Sequence, residues 1–533
     1  LDDGVVYNPS HFFGIFSALN PFTTGDVTIY KGNVPSEFGG RLSSVFDIKT
    51  KKGNDEKLSG EISIGPVTGN VMIETPIVKN TSSLLFGARG TYSDWILKSL
   101  KNESLNKSKA SFYDVILKYN HKLNKTDNLS VTGYYSKDAY SITSDSLFSY
   151  SNRLLSLRWD KEFNAKNTGS LILANSEYKF NIGYDGDSNT NFDLGYRVVE
   201  TELKLKMKYF YNDKHTFDYG LSSKLYNVSP GSLKPNGSTS LIDPLVIPED
   251  RALESALFVS DNFKINDKVS LNAGLRYSLF MGLGASVQRE YMDDVPKNES
   301  TQIGTKSYDK NEVYKTYGGP ELRVSGRYLL SPTASIKAGY NYSYQYIHTL
   351  SNNTTLSPTD TWKLSDLNIK PQQSSQISLG VFMNTDNNLY EFSIEGYYKR
   401  IENLLDYKVG AELLLNEAIE TEVIQGEGKA YGVEFLLRKT KGKLNGWLGY
   451  SYSRSLIKLD SDFNEEIVNN GDYFPSNFDK PHDLSIVANY KLTKRYSLSG
   501  NFSYQTGRPV TYPVGNYRYN GIEYVAYSNR NEF

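Results

Sequence analysis

The dominant pattern in this chain is an alternation of apolar and polar residues that begins near Lys57 and continues almost to the end. In Leu484–Leu492, for example, Leu, Ile, Ala and Tyr alternate with Ser, Asn and Lys, with Val487 as an exception. Successive side chains of a β-strand point to opposite faces, so each such segment predicts a strand with one apolar face. Segments of roughly 10–14 residues recur in this way and predict an all-β protein.

Two architectures give this alternation, a soluble β-sandwich and a membrane β-barrel, and three features favour the barrel. The segments reach the length of about 9–11 residues that crosses a bilayer with tilt. Tyrosines concentrate towards the segment ends, as in interfacial girdles. The turns alternate in size, with Asn124–Thr126 and Thr493–Arg495 tight but Leu283–Tyr317 and Ser351–Pro371 long and polar. Short turns on one side and long loops on the other are typical of outer-membrane barrels.

The same pattern predicts about 19 strand segments between Lys57 and Gly507. Closed bacterial barrels normally have an even number of strands. We therefore expect the natural chain to continue beyond Phe533, because an open edge in lipid leaves backbone groups without partners. Tyr512–Phe533 lacks clean alternation and is expected to be loop with at most one strand.

The first 54 residues, Leu1–Asn54, differ from the rest in character. Glycine-containing turns divide this stretch, at Asp3-Gly4, Gly25-Asp26 and Gly39-Gly40. Val27–Tyr30 and Ser44–Thr50 are expected to be short strands, and Phe12–Leu19 to form one or two helical turns. These elements predict a small α+β unit that is too short for an independent domain. No signal peptide is visible, so we expect the natural chain to begin before Leu1.

Composition excludes several functions. The formal net charge of −1 provides no basic field for nucleic acid. The chain has no cysteine, and its five histidines form no pair at metal-ligand spacing, so no metal site or cofactor is predicted. Asp460–Asn464 begins like a calcium loop, but Glu465 stands where the turn needs glycine, and a solvated loop is expected. No nucleophile–base–acid arrangement stands out, so we predict that the protein is not an enzyme.

Several patches of the chain resemble segments of one known family. Asp26–Gly53 (DVTIYKGNVPSEFGGRLSSVFDIKTKKG) and Tyr7–Pro21 (YNPSHFFGIFSALNP) are similar to the end and the middle of the plug domain of the TonB-dependent outer-membrane receptors, particularly those of Bacteroidetes. Gly428–Lys439 (GKAYGVEFLLRK) resembles a characteristic barrel strand. Phe478–Pro509 includes FDKPHDLSIVANYKL, which resembles strands near the C-terminal part of the barrel.

This resemblance implies an all-β membrane protein, a large antiparallel transmembrane β-barrel of about 22 strands with about 19 readable here, around a small partial α+β plug. Residues 1–54 would be the C-terminal half of the plug, and residues 55–533 the barrel with its long extracellular loops. The implied location is the outer membrane of a Gram-negative cell, in contact with its lipids. The implied partners are the TonB–ExbB–ExbD complex and a small extracellular ligand. A surface lipoprotein is a further candidate partner.

In such a plug, the resemblance implies an arginine that pairs with barrel glutamates. Arg41 is the candidate arginine and Glu434, in GVEFLLRK, is the candidate barrel partner. Gly39 and Gly40 are the candidate hinge between the plug and the first barrel strand. The alternative is a solvated arginine beside a turn and a lumenal glutamate with other partners.

Ligand contacts are expected on the plug apex and on the extracellular loops, because loops on a rigid scaffold carry function. The candidate regions are Tyr7–Phe16 and the loops Leu283–Tyr317, Ser351–Pro371 and Asn403–Glu427. Aromatic side chains in these regions can stack on a sugar, peptide or siderophore. The candidate contact residues are Tyr7, His11, Phe12, Tyr308, Tyr314 and Trp362.

The sequence therefore predicts active import of a scarce nutrient, with siderophore, cobalamin, glycan and peptide as the candidate substrates. Two alternatives come from other functional classes. One is a structural barrel whose loops hold surface partners, and the other is a passive channel. Dependence of uptake on the proton gradient separates the first hypothesis from the other two.

Overall fold

A computed structural model describes residues 1–92, 94–99, 101, 108–141, 145–186, 189–351, 360–385 and 387–533 of the chain. Its first part holds four short strands: β1 (Ser10–His11), β2 (Phe16–Ser17), β3 (Thr24–Tyr30) and β4 (Val45–Thr50). β1 pairs with β2 and β3 with β4, both antiparallel. Both expected strands are present, but the expected helical turns reduce to one 3-10 turn at Phe12–Gly14.

The rest of the described chain is almost entirely strand. In chain order its strands are β5 (Ser59–Ile64), β6 (Thr68–Val78), β7 (Ser82–Thr91), β8 (Lys109–Lys122), β9 (Asp127–Ser141), β10 (Ser146–Asn164), β11 (Asn167–Tyr184), β12 (Phe192–Phe210), β13 (His215–Pro235), β14 (Leu245–Val246), β15 (Asp250–Lys264), β16 (Val269–Leu283), β17 (Ser286–Tyr291), β18 (Gln302–Tyr308), β19 (Val313–Ser331), β20 (Ala334–Gln345), β21 (Ile347–Leu350), β22 (Thr361–Leu364), β23 (Gln372–Asn384), β24 (Tyr390–Tyr407), β25 (Val423–Lys439), β26 (Leu444–Lys458), β27 (Phe474–Pro475), β28 (His482–Lys491), β29 (Ser497–Gln505), β30 (Pro513–Tyr519) and β31 (Ile522–Tyr527). One α-helix, α1 (Asp94–Ser99), and further 3-10 turns at Glu299–Thr301, Ile419–Thr421, Asn464–Glu466 and Asn469–Gly471 complete the described elements. None of the described helices is long and apolar enough to cross a membrane.

The strands from β5 to β29 close into one barrel, with the pairs β17–β18 and β21–β22 standing outside it. Two members, β14 and β27, are only two residues long, which leaves 19 wall-forming strands in the described part of the chain. Neighbours in sequence pair in antiparallel fashion throughout, for example β10 with β11 over most of their lengths. The predicted all-β barrel and its number of readable strands are confirmed.

β10 shows why the sequence alternation produces this wall. Leu154 and Ser156 face the lumen and are 2% and 3% exposed, whereas Leu155 and Leu157 face outward and are 56% and 41% exposed. The apolar side chains on the outer face form the band that lipid covers in a membrane barrel. The inner face receives a mixture of small, polar and charged residues, because it packs against the N-terminal part of the chain.

The two ends of the barrel differ. At one end, here called the short-turn rim, consecutive strands join through tight turns such as residues 123–126 and 265–268. At the other end, the long-loop rim, the connections hold α1, β17–β18 and β21–β22. Tyr512–Phe533 follows β29 at this rim and forms a hairpin of two strands, β30 and β31, rather than one strand at most.

The ring has one unusual junction, between β5 and β29. An antiparallel ring of alternating strands needs an even number, so with 19 wall strands these two neighbours run in the same direction. Every residue of β29 is exposed, as are five of the six residues of β5. This junction is therefore the least packed part of the wall.

Candidate functional site in the barrel lumen

Residues 1–54, here called the lumenal segment, lie inside the barrel. Their polar contacts reach widely separated strands: Asp2 with Lys118 of β8 (3.1 Å), Tyr7 with Glu200 of β12 (2.7 Å) and Pro35 with Arg323 of β19 (2.7 Å). A short stretch of chain reaches strands on several sides of a ring only from within it. The segment therefore occupies the lumen and blocks much of it.

Four charged side chains on neighbouring strands form a buried arginine–glutamate cluster in the wall: Glu254 of β15, Arg276 of β16, and Glu321 and Arg323 of β19. Each is at most 2% exposed. Arg323 donates to Glu321 at 2.7 Å, and Arg276 lies 3.5 Å from Glu321 and 3.7 Å from Glu254. Two cations and two anions balance one another, which is the condition for burying charges away from water.

This cluster holds the loop between β3 and β4 through the backbone of the loop. Arg323 donates from Nη1 to the carbonyl oxygens of Pro35, at 2.7 Å, and of Phe38. Arg276 donates to the carbonyl oxygens of Ser36 and Glu37, each at 3.4 Å. A guanidinium has five N–H donors in a fixed plane, so each arginine can serve a wall carboxylate and loop carbonyls together.

Gly39 and Gly40 lie directly against the same cluster. A Cβ atom on Gly39 would stand 2.3 Å from Arg276 Nε, and one on Gly40 would stand 2.7 Å from both carboxylate oxygens of Glu254. Gly40 also has a φ of +74°, in the region that favours glycine. Close backbone approach is thus the structural reason for this glycine pair.

A second set of contacts surrounds His11 near the long-loop rim. Its Nδ1 lies 2.6 Å from Asp138 of β9, its Nε2 lies 3.5 Å from Asp114 of β8, and the ring stacks on Phe112 at 4.0 Å. Arg89 of β7 also contacts this group, because its Nε donates a hydrogen bond to Asp114 at 2.7 Å. Burial by itself lowers the pKa of His11, but hydrogen bonds and charge from Asp114 and Asp138 outweigh it and raise the pKa overall.

Near the same rim, Trp362 of β22 lies between the lumenal segment and the wall. Tyr7 meets the indole edge to face, with centroids 5.4 Å apart and planes at 83°, and the Arg41 guanidinium lies 5.9 Å from the ring centre. Tyr7, Arg41 and the two buried clusters against which Tyr7 and Trp362 pack are here called the aromatic cage. The clusters contain Tyr140, Tyr150, Tyr178, Phe180, Tyr196, Tyr226, Phe280 and Tyr346, and also the aliphatic Val198, Val228, Ala252, Ile347 and Leu364. Tyr7 is fixed by its hydrogen bond to Glu200.

Towards the short-turn rim, a cavity of about 1130 Å³ separates the lumenal segment from the wall. Its lining includes Tyr30, Lys31 and Phe46 of the segment, together with Arg327 and Lys399 of the wall. The segment borders this cavity on one side, whereas elsewhere near the same rim Asp2 and Thr50 are buried against Lys118 of β8. Within the described part of the chain, no three acidic or histidine side chains are arranged to hold a metal ion.

The family model "TonB dependent receptor-like, beta-barrel" matches residues 74–532. This chain belongs to the TonB-dependent receptors. Members of the family are outer-membrane proteins of Gram-negative bacteria that work with TonB. No curated protein sequence matches the chain significantly.

Solved receptors share the fold at low sequence identity. The hemophore receptor HasR of Serratia marcescens, solved with its hemophore HasA and heme, has a TM-score of 0.64 at 13% identity, over 92% of this chain and 81% of its own. The ferric-catecholate import receptor Fiu of E. coli K12 has a TM-score of 0.62 at 13% identity, over 91% and 76%. The ferric preacinetobactin receptor BauA of Acinetobacter baumannii has a TM-score of 0.62 at 13% identity, over 94% and 76%.

The predicted pairing of Arg41 with Glu434 is not formed in the receptor. Glu434 pairs with Lys31 instead, and it lies only five residues from the end of β25 at the short-turn rim. Arg41 lies higher, below Trp362, where its Nη1 donates to the carbonyl of Gly40 at 3.0 Å. The two residues sit at different heights in the lumen, which a sequence motif does not reveal.

Arg41 nevertheless faces wall carboxylates. Burial lowers the pKa of its guanidinium, but the surrounding Tyr226, Tyr7, Glu200 and Glu254 outweigh this and raise the pKa. The role of Gly39 and Gly40 as a hinge stays a prediction.

The candidate ligand residues fall in three places. Tyr7 and Trp362 are brought together in the aromatic cage. Tyr308 and Tyr314 pack on each other at 5.7 Å, with Tyr314 buried. Phe12 and His11 pack on Phe112, and His11 is 0% exposed, so it contacts the wall rather than a ligand in this conformation. Residues 352–359 of the candidate loop Ser351–Pro371 lie outside the described residues.

Sequence reasoning missed the arginine–glutamate cluster, although a signal for it is present. Arg276 stands between Leu275 and Tyr277, which are exposed on the outer face. A single charge between two apolar neighbours in an alternating strand must point into the lumen. Arg323 has the same setting, between Leu322 and Val324, so both arginines could be assigned to the lumen, but not to a common site.

Proposed function

We propose that this receptor imports a scarce nutrient across the outer membrane of a Gram-negative cell. The ligand binds from the exterior, TonB with ExbB and ExbD draws on the proton gradient, and the lumenal segment rearranges to admit the ligand. In this proposal residues 1–54 are the C-terminal half of the plug and residues 55–533 the barrel, whose outer face contacts membrane lipids. The protein performs no chemistry on its ligand and is not an enzyme.

One observation carries the proposal: the segment that fills the lumen is held mainly by polar contacts. Arginines of the wall bind loop carbonyls, and Tyr7, Asp2 and His11 bond to wall side chains. Polar contacts of this kind can exchange for water during a movement, whereas a dry apolar interface would have to be exposed. A lumen sealed in this way suits a plug that must open and close.

The test is uptake by cells that carry the receptor. Mass spectrometry of the medium, before and after incubation, identifies compounds depleted by cells with the receptor but not by cells without it. We expect at least one compound whose depletion stops when a protonophore collapses the proton gradient, and also in cells that lack TonB.

Other results would support the alternatives. Depletion that persists without the proton gradient and without TonB would indicate a passive channel. Absence of any depleted compound, together with cell-surface proteins that co-purify with the receptor, would indicate a structural barrel. A surface lipoprotein that co-purifies while gradient-dependent uptake persists would be an additional subunit of the importer.

A further inference from the structure

The outer face of the barrel carries an apolar groove of about 410 Å³ that crosses the neighbouring strands β12, β13, β15 and β16. The outward-facing side chains that line it are Leu205, Met207, Tyr219, Leu221, Leu257, Val259, Leu275 and Tyr277. Val259 stands between Tyr219 and Leu275 in the register, so a small side chain between larger neighbours leaves a hollow. Met207 and Tyr219 lie within a few residues of the short-turn ends of their strands.

A histidine–aspartate pair lies on the same outer face, between the groove and the short-turn rim. His215 begins β13, and Asp261 follows Val259 by two positions in β15, so both side chains share the face of the groove. His215 Nδ1 lies 2.7 Å from Asp261 Oδ2. The imidazole stacks on Phe263, with ring centres 4.3 Å apart, and lies 6.1 Å from the ring of Phe217. Aromatic rings near a rim mark the headgroup level of a membrane barrel.

The hydrogen bonding of this pair is incomplete within the described part of the chain. A carboxylate only accepts hydrogen bonds, so His215 Nδ1 is the donor and Nε2 of the neutral ring remains as an acceptor. Asp261 Oδ1 is enclosed by the wall without a hydrogen-bond partner among the described residues. The two side chains are 30% and 26% exposed, so a molecule on the outer face can reach them. A carboxylate that faces lipid without a cation of the chain needs one from outside it.

Asp127 of β9 shows how the chain satisfies another outward-facing aspartate at this rim. Its carboxylate accepts hydrogen bonds from Lys161 Nζ at 2.9 Å and from Trp159 Nε1 at 3.0 Å, both of β10. The charge is thus compensated within the wall by an ammonium group and an aromatic N–H. Asp261 also has aromatic neighbours, but among the described residues no ammonium group pairs with it. The partner that Asp261 lacks therefore corresponds in chemistry to the ammonium of Lys161.

We propose that this face binds a bilayer phospholipid with a primary-amine headgroup, a phosphatidylethanolamine. Its ammonium donates to Asp261 and to Nε2 of His215, and one acyl chain lies in the apolar groove. Short turns are periplasmic in outer-membrane barrels, so the lipid belongs to the leaflet on that side. A strand rises about 3.3 Å per residue, which places the groove at Val259 about 7 Å from Asp261, within the depth of about 15 Å of one hydrocarbon leaflet. The proposal requires a barrel in a bilayer but does not depend on import.

The headgroup is tested with lipids that share their acyl chains. Phosphatidylcholine carries a quaternary ammonium without N–H donors, and phosphatidylglycerol has no ammonium. Native mass spectrometry of the purified full chain in detergent counts the bound lipids as the dioleoyl form of each is titrated. We expect the first phosphatidylethanolamine to bind about tenfold more tightly than phosphatidylcholine, which is the effect of one hydrogen bond to a charged group. Phosphatidylglycerol is expected to bind no more tightly than phosphatidylcholine.

Three variants locate this preference. Asp261→Asn keeps the shape of the side chain but removes its charge, so phosphatidylethanolamine is expected to bind only as tightly as phosphatidylcholine. Asp127→Asn is the matched control at the same rim, because Lys161 already holds that carboxylate, and the tenfold preference is expected to persist. Val259→Trp fills the groove and is expected to weaken the binding of both lipids while their ratio stays the same.

Equal binding of the two lipids by the unchanged receptor would overturn the proposal, as would a preference that persists in a folded Asp261→Asn protein. Loss of the preference in Asp127→Asn would also overturn it, because the pair would then have no special role. Unchanged affinities in Val259→Trp would overturn the placement of the acyl chain. Folding is checked by the altered gel mobility of unheated barrel in each variant. Gradient-dependent uptake with equal lipid binding would contradict this proposal alone and leave the proposed function intact.

Discussion

Burial decides which single residues hold the lumenal segment most firmly. Arg323 is 2% exposed and bonds both Glu321 and the carbonyl of Pro35. The pair between Lys31 and Glu434 is open to water, with side chains 56% and 35% exposed. Water screens an exposed pair, whereas loss of one partner from a buried pair leaves an uncompensated charge. The contacts of Arg323 should therefore contribute severalfold more to the free energy of docking of the lumenal segment than the pair of Lys31 and Glu434.

Replacing the buried arginine tests the strong contact. Arg323→Gln is expected to weaken docking of the β3–β4 loop by about 3–5 kcal/mol, because Glu321 loses its closest cation and two loop carbonyls lose a donor. Hydrogen exchange of backbone amides 33–40 is the measurement. Arg327→Gln, an exposed position on the same strand, is the control and should leave exchange unchanged. Full protection of amides 33–40 in Arg323→Gln would refute the assignment.

The exposed pair of Lys31 and Glu434 is expected to contribute little to docking of the lumenal segment. Glu434→Gln should reduce docking by less than about 1 kcal/mol, since Lys31 remains hydrated without its partner. Exchange of amides 28–34 and gradient-dependent uptake should both stay close to those of the unchanged receptor. A loss as large as that of Arg323→Gln would mean that Glu434 is a principal lock after all.

His11 gives the contact at the long-loop rim a pH dependence. The pKa of His11 is higher in the folded receptor than in the unfolded chain, where it is about 6.5. Protonated His11 therefore stabilises the docked segment fully at a pH below about 6.5, and this stabilisation is lost as the pH rises through the pKa of the folded state. Amides 10–17 should therefore exchange more slowly at about pH 6 than at about pH 8.5, after correction for intrinsic exchange rates. His11→Gln should remove this difference, and a difference that survives in His11→Gln would assign it to another group.

Among the elements, the loop between β3 and β4 makes its buried contacts with the wall arginines through its backbone, whereas its Lys31 and Glu37 side chains pair with Glu434 and Lys206. Its carbonyls at positions 35–38 accept from Arg276 and Arg323, and Gly39 and Gly40 bring the chain within contact of that cluster. Recognition through carbonyl groups depends on loop conformation more than on side-chain identity. Backbone changes in this loop should therefore disturb docking more than side-chain changes.

Gly40→Ala tests this dependence. Its φ of +74° and the 2.7 Å approach to Glu254 both oppose a Cβ atom, so the loop must shift away from the wall. Gly237→Ala is the matched control, because Gly237 has a φ of +89° but open space around it. Both variants should carry strain of about 1–2 kcal/mol. Only Gly40→Ala should expose amides 35–41 to exchange, and equal exchange in both variants would contradict the account.

The sequence predicted the wall well, because alternation is a local property that each strand displays by itself. Leu155 faces lipid and Leu154 the lumen because they are neighbours in a strand. Contacts across the lumen are not local. Motif resemblance predicts that Glu434 pairs with Arg41, yet the position of Glu434 near the short-turn end of its strand places it beside Lys31. Tyr7 and Trp362 were both candidates, but only the folded hairpin brings them together.

At the scale of the whole molecule, we propose that the lumenal segment moves relative to the barrel wall during import. Polar contacts hold it to the wall near both rims, and it borders a cavity of about 1130 Å³ on the short-turn side. The chain has no cysteine, so engineered pairs can be introduced without side reactions. A Cβ atom on Gly32 of the segment would stand 3.4 Å from the Cβ of Ser378 in β23, close to the range of about 3.5–4.5 Å that a disulfide spans.

The most direct measurement is gradient-dependent uptake by a receptor carrying Gly32→Cys and Ser378→Cys, before and after reduction. The control pair, Ser223→Cys and Ser255→Cys, joins two directly paired wall strands on their outer face, where the two hydroxyl oxygens lie 2.9 Å apart, and leaves the segment free. We expect that oxidation of the first pair abolishes uptake, that a reductant restores it, and that the receptor with the control pair imports in both states. Undiminished uptake with the segment fully cross-linked to the wall would contradict it.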